Sequence, residues 1–124
     1  MDALQVLVVD DSLLMAGKLT AMLVGMGHRV VRTAGTGAEA LLAYRECRPD
    51  IVTMDITMPD MDGVKATQLI MEEFPDAKII MATALGQEQM VLAALDAGAK
   101  GYILKPIRRE KLQTAIAQIT KRSA

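Results

Sequence analysis

At 124 residues the chain is one domain's worth of protein. Single domains most often run to ~100–150 residues, which excludes a protein kinase or any two-domain enzyme within these residues. Hydrophobic residues make up 52% of the chain, enough for a core, yet there is no Trp, one Phe and two Tyr against ten Met. Aliphatic and thioether side chains must fill the interior, Met adapting to irregular gaps. The net charge of −1 gives no case for nucleic acid, but it is unevenly spread: residues 1–85 carry 7 Lys/Arg against 12 Asp/Glu, and residues 86–124 carry 7 against 3.

Short apolar runs alternate with longer helical patterns. A strand over Leu4–Val9 runs into Asp10-Asp11. A helix over Leu13–Met26 follows, with Met15, Leu19, Met22, Leu23 and Met26 at helical spacing on one face and Gly27 as its stop. His28 reads as an ordinary loop residue before a strand over Arg29–Ala34 and a helix over Ala38–Cys47. A strand over Asp50–Met54 closes on Asp55, and Asp62 is placed to cap a helix over Val64–Phe74. A strand over Lys78–Ala82 leads to Thr83, and a helix over Gln87–Ala97 is ended by Gly98. A strand over Gly101–Leu104 leads to Lys105-Pro106, and a helix over Arg109–Lys121 completes the pattern. All four prolines fall outside the helix interiors. Several strands are near-continuous in Val, Ile and Leu, as strands buried on both faces are. Five such βα units predict an α/β fold with a parallel sheet, right-handed crossovers and helices on both faces.

In open α/β sheets ligands bind outside the carboxyl ends of the strands. Here those ends carry Asp10, Asp11, Asp55, Thr83 and Lys105. Ser12 suffices to cap the first helix, so the acid pair needs another explanation. An acid closing a buried strand is costly without a partner, and like charges brought together raise each other's pKa. A hard divalent cation such as Mg²⁺, with oxygen ligands, relieves both, and Lys105 adds a second positive charge. Cys47 stands alone, so no internal disulfide forms and no Cys/His cluster suggests zinc. The start lacks a basic leader region, and the apolar run Val6–Val9 is too short to span a membrane. The expectation is a cytoplasmic protein with no membrane insertion.

The segments Val8-Val9-Asp10-Asp11-Ser12, Pro49–Asp55, Met58–Gly63, Met81–Ala84 and Ala97–Pro106 together resemble a receiver domain of two-component response regulators, the CheY-like family. The resemblance covers the whole chain and implies a flavodoxin-like (βα)5 fold with strand order 2-1-3-4-5. It implies one receiver domain over residues 1–124 with no effector attached, and a phosphoacceptor switch that catalyses its own phosphotransfer and dephosphorylation rather than a conventional enzyme. Asp55 then resembles the phosphoacceptor, taking a phosphoryl group from a histidine kinase or a histidine phosphotransfer domain. Asp10, Asp11, Asp55 and the backbone carbonyl of Thr57 resemble the ligands of Mg²⁺, with Mn²⁺ as the alternative ion. Thr83 and Lys105 resemble the phosphoryl-binding residues, and Thr83 with Tyr102 the switch pair. The Lys105-Pro106 bond resembles one that is cis in the family. Thr57 and Leu85 sit where the family tunes dephosphorylation.

The resemblance also gives the basic C-terminal third a place. Lys100, Arg108, Arg109 and Lys111, with Lys121 and Arg122, fall on or near the face formed by the fourth helix, fifth strand and fifth helix, which suggests an acidic partner. Leu13 and Leu14 cannot both face the core if Met15 and Leu19 do, leaving an apolar spot beside Asp55 where a kinase or phosphotransfer helix would dock, although a single exposed Leu is ordinary. Chemotaxis, with the flagellar motor switch as target, is the first expectation. A phosphorelay intermediate, or a regulator of another enzyme, is the second. The domain is expected to be a monomer, with a phosphorylation-dependent dimer as the alternative. Three other classes fit less well. An Asp-nucleophile phosphatase of the haloacid dehalogenase type uses Asp-x-Asp, not Asp-Asp. A flavodoxin needs a Ser/Thr/Gly-rich phosphate loop where Asp10-Asp11 stand. A pseudo-receiver, an interaction module that is never phosphorylated, has no need of the intact acid set.

Overall fold

The apolar runs become strands and the amphipathic runs helices in the computed structural model, which describes residues 3–120. In chain order these are β1 (Gln5–Val9), α1 (Leu13–Gly25), β2 (Arg29–Ala34), α2 (Gly37–Cys47), β3 (Ile51–Asp55), α3 (Gly63–Glu73), β4 (Ile79–Thr83), α4 (Glu88–Ala97), β5 (Gly101–Leu104) and α5 (Arg109–Thr120). The strands form one parallel sheet in the order β2-β1-β3-β4-β5, the flavodoxin-like arrangement. Lys121 and Arg122 lie outside the described residues.

Alternation along the strands divides the interior in two. Leu7, Val9, Val52, Met54, Ile79 and Met81 pack toward α2, α3 and α4. Val6, Val8, Ile51, Ile80 and Ile103 pack toward α1 and α5, against Leu19, Leu23, Leu112 and Ile116. β3 and β4 are buried at every position, as the near-continuous apolar runs predict. The buried stripe of α1 is Ala16, Leu19 and Leu23; Met15, Met22 and Met26 flank it half-buried rather than forming its centre. Small Ala16 lets the helix approach the sheet, and the flexible Met side chains fill the margins.

Three local details differ from the sequence expectation. β3 and β4 each run one residue later, so that Asp55 and Thr83 lie inside the ladder, Asp55 opposite Ala82 and Thr83 opposite Leu104. Backbone pairing is indifferent to the polarity of the side chain it carries. Asp50 belongs to the turn instead: its carboxylate accepts from the Gln5 N–H at 2.7 Å. His28 is a buried structural residue, 6% exposed, and its Nδ1 accepts from the Leu4 N–H at 3.1 Å. It gives the N–H just before β1 its acceptor and is not a free loop side chain.

Caps fix where the helices begin. Ser12 Oγ accepts from Met15 N–H at the start of α1, and Asp62 Oδ1 accepts from Lys65 N–H at the start of α3. Past the end of α1, Gly27 has φ of 92°, a left-handed conformation glycine adopts without a Cβ penalty. Tyr44 and Phe74 pack with ring centroids 4.7 Å apart, and the Arg48 guanidinium sits 4.2 Å from the Phe74 centroid. Two of the three aromatic residues thus pin α2 against the end of α3, which leaves Tyr102 as the only aromatic residue near the carboxyl ends of β4 and β5.

Candidate functional site

Strand register gathers the polar residues. Val9 lies opposite Met54, so Asp10 and Asp55 come side by side at adjoining strand ends. The Asp10 N–H donates to Ala34 O at 2.9 Å and the Lys105 N–H to Thr83 O at 2.7 Å, extending the ladder just past β1 and β5. Carboxylate oxygens of Asp10, Asp11 and Asp55 all lie within 4.8 Å of one another. Asp10 and Asp55 are buried while Asp11 is exposed, so the cluster opens to solvent on one side.

Lys105 enters from across the sheet. Its Nζ donates to Asp55 Oδ1 at 2.9 Å and reaches Asp10 Oδ2 at 3.4 Å. Asp10 Oδ1 also accepts from the Ser12 N–H at 2.9 Å. Three carboxylates face one ammonium, which leaves the site short of positive charge. Burial pushes the Asp55 carboxyl above its ordinary pKa and outweighs the opposing pull of Lys105; the charges of Asp10 and Asp11 push the same way. Burial works against the Lys105 ammonium too, but the Asp55 hydrogen bond and charge, with those of Asp10, hold its pKa above the ordinary value. A donor set of hard carboxylate oxygens, at this spacing and this deficit, fits a small divalent cation.

The remaining sequence candidates take definite positions. Thr83 is buried at the end of β4. Thr57 is exposed in the loop after β3, and its Oγ1 accepts from Gln87 Nε2 at 3.1 Å. The Lys105-Pro106 peptide bond is cis. Tyr102 is 53% exposed and stands at the rim of an apolar groove of about 290 Å³ between α4 and β5, lined also by Thr83, Leu85, Val91, Leu92 and Leu104. Leu13 and Leu14 are both exposed, at 89% and 68%, where at least one was expected.

Three of the basic candidates border adjoining concavities and the fourth does not. Arg108 and Lys111 line a second concavity with Tyr102, Lys105 and Pro106, and Lys100 lines a neighbouring one with Tyr102 and Gln118. Arg109 points elsewhere: its guanidinium donates to Gly25 O at 2.9 Å, satisfying a carbonyl at the end of α1. In this structure Arg109 ties the start of α5 to the end of α1.

Two residues went unnoticed in the sequence. The Asp60 carboxylate accepts from the N–H groups of Gly37 and Ala38, at 2.9 Å each, which holds its pKa below the ordinary value. Gln87 bonds back to Thr83, Ala84 and Thr57. Asp60 has no sequence signal beyond lying in a matching segment and Gln87 none beyond opening the expected helix over Gln87–Ala97, because both act on residues distant in the chain or across a turn.

The family model of the response regulator receiver domain matches residues 6–117. The chain belongs to the response regulator receiver family. This receiver domain is 44% identical over 117 residues to the chemotaxis protein CheY of Thermotoga maritima, covering 94% of this chain and 98% of that one. It is 45% identical over 112 residues to the CheY of Bacillus subtilis, covering 90% and 93%. Among solved structures, the CheX-CheY-BeF3-Mg complex from Borrelia burgdorferi contains a chain similar to it at a TM-score of 0.91 and 40% identity, covering 95% of this chain and 90% of that one. The receiver domain is thus of CheY type and stand-alone size, a signalling switch rather than a conventional enzyme. Among the described residues no helix is long and apolar enough to cross a membrane.

Proposed function

We propose that this receiver domain is a phosphorylation switch of a chemotaxis pathway, acting in the cytoplasm, with Asp55 as its phosphoacceptor. The observation that carries this reading is the buried Asp55 carboxylate, 2.9 Å from the Lys105 ammonium and clustered with Asp10 and Asp11. Burial strips water from the Asp55 oxygens and leaves them poised as nucleophiles. A histidine kinase or histidine phosphotransfer domain fits as donor. One Asp55 oxygen forms a P–O bond as the P–N bond to the donor imidazole breaks, and the bonding pair stays with the imidazole nitrogen.

Lys105 is within reach of a phosphoryl oxygen on Asp55 and offsets the charge that arrives with it, as a point charge on a flexible stem. Asp10, Asp11, Asp55 and the Thr57 carbonyl would hold Mg²⁺, or Mn²⁺ in its place. When bound, the ion supplies the positive charge that phosphoryl transfer requires. Thr83 would then turn its hydroxyl to a phosphoryl oxygen, and Tyr102 would move from its exposed position into the groove between α4 and β5. Differential contacts to the phosphoryl group drive that change of packing.

The output face combines the apolar rim of Leu85, Leu92, Tyr102 and Leu104, all exposed, with the basic Lys100, Arg108 and Lys111. A target with an apolar anchor and flanking acids fits it, the flagellar motor switch being the expected one. The Borrelia burgdorferi neighbour, described as a CheX–CheY complex with BeF3 and Mg, supports both a phosphoryl mimic and a protein partner on a fold this similar. The test is labelling by acetyl phosphate in the presence of Mg²⁺, read by intact mass. Wild type should gain one phosphoryl group and Asp55→Asn none. Equal labelling of the two would sink the assignment.

A further inference from the structure

Gln87 occupies the N-cap position of α4 yet makes no capping bond to its own helix. Its amide turns back across the Ala84-Leu85-Gly86 turn. The Ala84 N–H donates to Gln87 Oε1 at 2.8 Å, and the Thr83 hydroxyl donates to the same oxygen at 3.0 Å. On its other side Gln87 Nε2 donates to Thr57 Oγ1 at 3.1 Å.

A backbone N–H only donates, so the amide atom facing Ala84 is the carbonyl oxygen. A carbonyl oxygen only accepts, so the Thr83 hydroxyl is the donor in its bond to Gln87. A hydroxyl has one proton, and here it is shared between Gln87 Oε1 and Ala84 O, the latter at 3.3 Å. Thr83 therefore has no proton left for an oxygen on Asp55. Any group on Asp55 that needs the Thr83 proton must first take it from Gln87.

We infer that Gln87 is a latch on the switch: a positioning residue that holds the Thr83 hydroxyl to the α4 turn and sets how readily it is released to a phosphoryl group. The inference rests on the reading of Asp55 as phosphoacceptor. Removing the latch leaves Thr83 free to engage Asp55's substituent, so the apparent affinity for a phosphoryl mimic rises. A single hydrogen bond of this kind changes an equilibrium by roughly two- to tenfold.

The experiment is a titration with beryllofluoride in excess Mg²⁺, followed by the NMR shift of the Ala84 amide. The proteins are wild type, Gln87→Ala, Gln87→Met, and each of these two changes combined with Thr83→Ala. Thermal unfolding confirms that each variant is folded. Gln87→Ala and Gln87→Met should both bind about two- to tenfold tighter than wild type, the Met variant keeping the length of the side chain without its polar atoms. In the Thr83→Ala background neither change should matter. Unchanged or weaker binding in the single variants, or an effect that persists without the Thr83 hydroxyl, overturns the latch. Wild type that binds no beryllofluoride at all overturns the phosphoacceptor reading, and the latch with it.

Discussion

Replacing Gly63 with Ala introduces a methyl group where the backbone already stands. A Cβ there would run into the carbonyl oxygen of Asp55 and lie 3.0 Å from both its carbonyl carbon and Ile56 Cα. The Gly63 N–H also donates to Ile56 O at 2.6 Å, so the start of α3 is drawn tight against the end of β3 and has no side chain to rotate aside. Such overpacking costs about 1–3 kcal/mol. Gly17 offers the opposite case. It lies exposed inside α1 with nothing within 4 Å of a Cβ, so Gly17→Ala should stabilise by about 0.5–1 kcal/mol through the unfolded chain's lost freedom. For a chain of this size 1 kcal/mol moves Tm by roughly 3–6 °C. Gly63→Ala should therefore lower Tm by roughly 5–15 °C and Gly17→Ala raise it by roughly 2–5 °C. Urea titration should give the same ordering of midpoints with unchanged slopes. Shifts of the same sign, or a Gly63→Ala midpoint equal to wild type, would refute the packing argument.

Asp55→Asn should raise the urea midpoint of metal-free protein at pH 7. The folded-state pKa of Asp55 lies above its unfolded value, so its penalty is absent at low pH, where the carboxyl is protonated in both states. The penalty grows as pH rises through the raised folded value, and the advantage of the variant should vanish near pH 3; equal midpoints at pH 7 would contradict this. Mg²⁺ at ~100 times its Kd should stabilise wild type by ~2.7 kcal/mol, and Asp10→Ala combined with Asp11→Ala should remove that gain in a thermal scan. Arg109→Ala should cost about 0.5–1 kcal/mol through the lost bond to the end of α1 while leaving target affinity unchanged. Arg108→Glu with Lys111→Glu should weaken target binding in a salt-dependent way, which calorimetry at two ionic strengths will resolve.

The strand-end residues Asp10, Asp55, Thr83 and Lys105 were legible because each follows an apolar run whose length and spacing the sequence displays directly. Strand order came with the resemblance, since periodicity alone leaves the neighbours of a parallel strand open. His28, Asp60, Gln87 and Gly63 were not legible in role. Each draws its meaning from a backbone group supplied by another segment: Leu4 for His28, Gly37 and Ala38 for Asp60, Ala84 for Gln87, and Asp55 for Gly63. The tie that Arg109 makes to Gly25 was hidden for a related reason. A charge run states where cations occur along the chain but not which of them the fold turns toward a neighbouring helix.

The loop that follows β3 is fastened at both ends, and unequally. At its far end the ionised Asp60 takes two backbone N–H groups from the start of α2. At its near end the hydroxyl of Thr57 holds one neutral amide from the turn before α4. Charge-assisted bonds are roughly twice as strong as neutral ones. A push arising at Asp55 therefore meets a stiff hinge on the α2 side and a compliant one on the α4 side. On the reading of Asp55 as phosphoacceptor, displacement would travel toward α4, so the asymmetry of two small fastenings would give the domain a direction in which to speak.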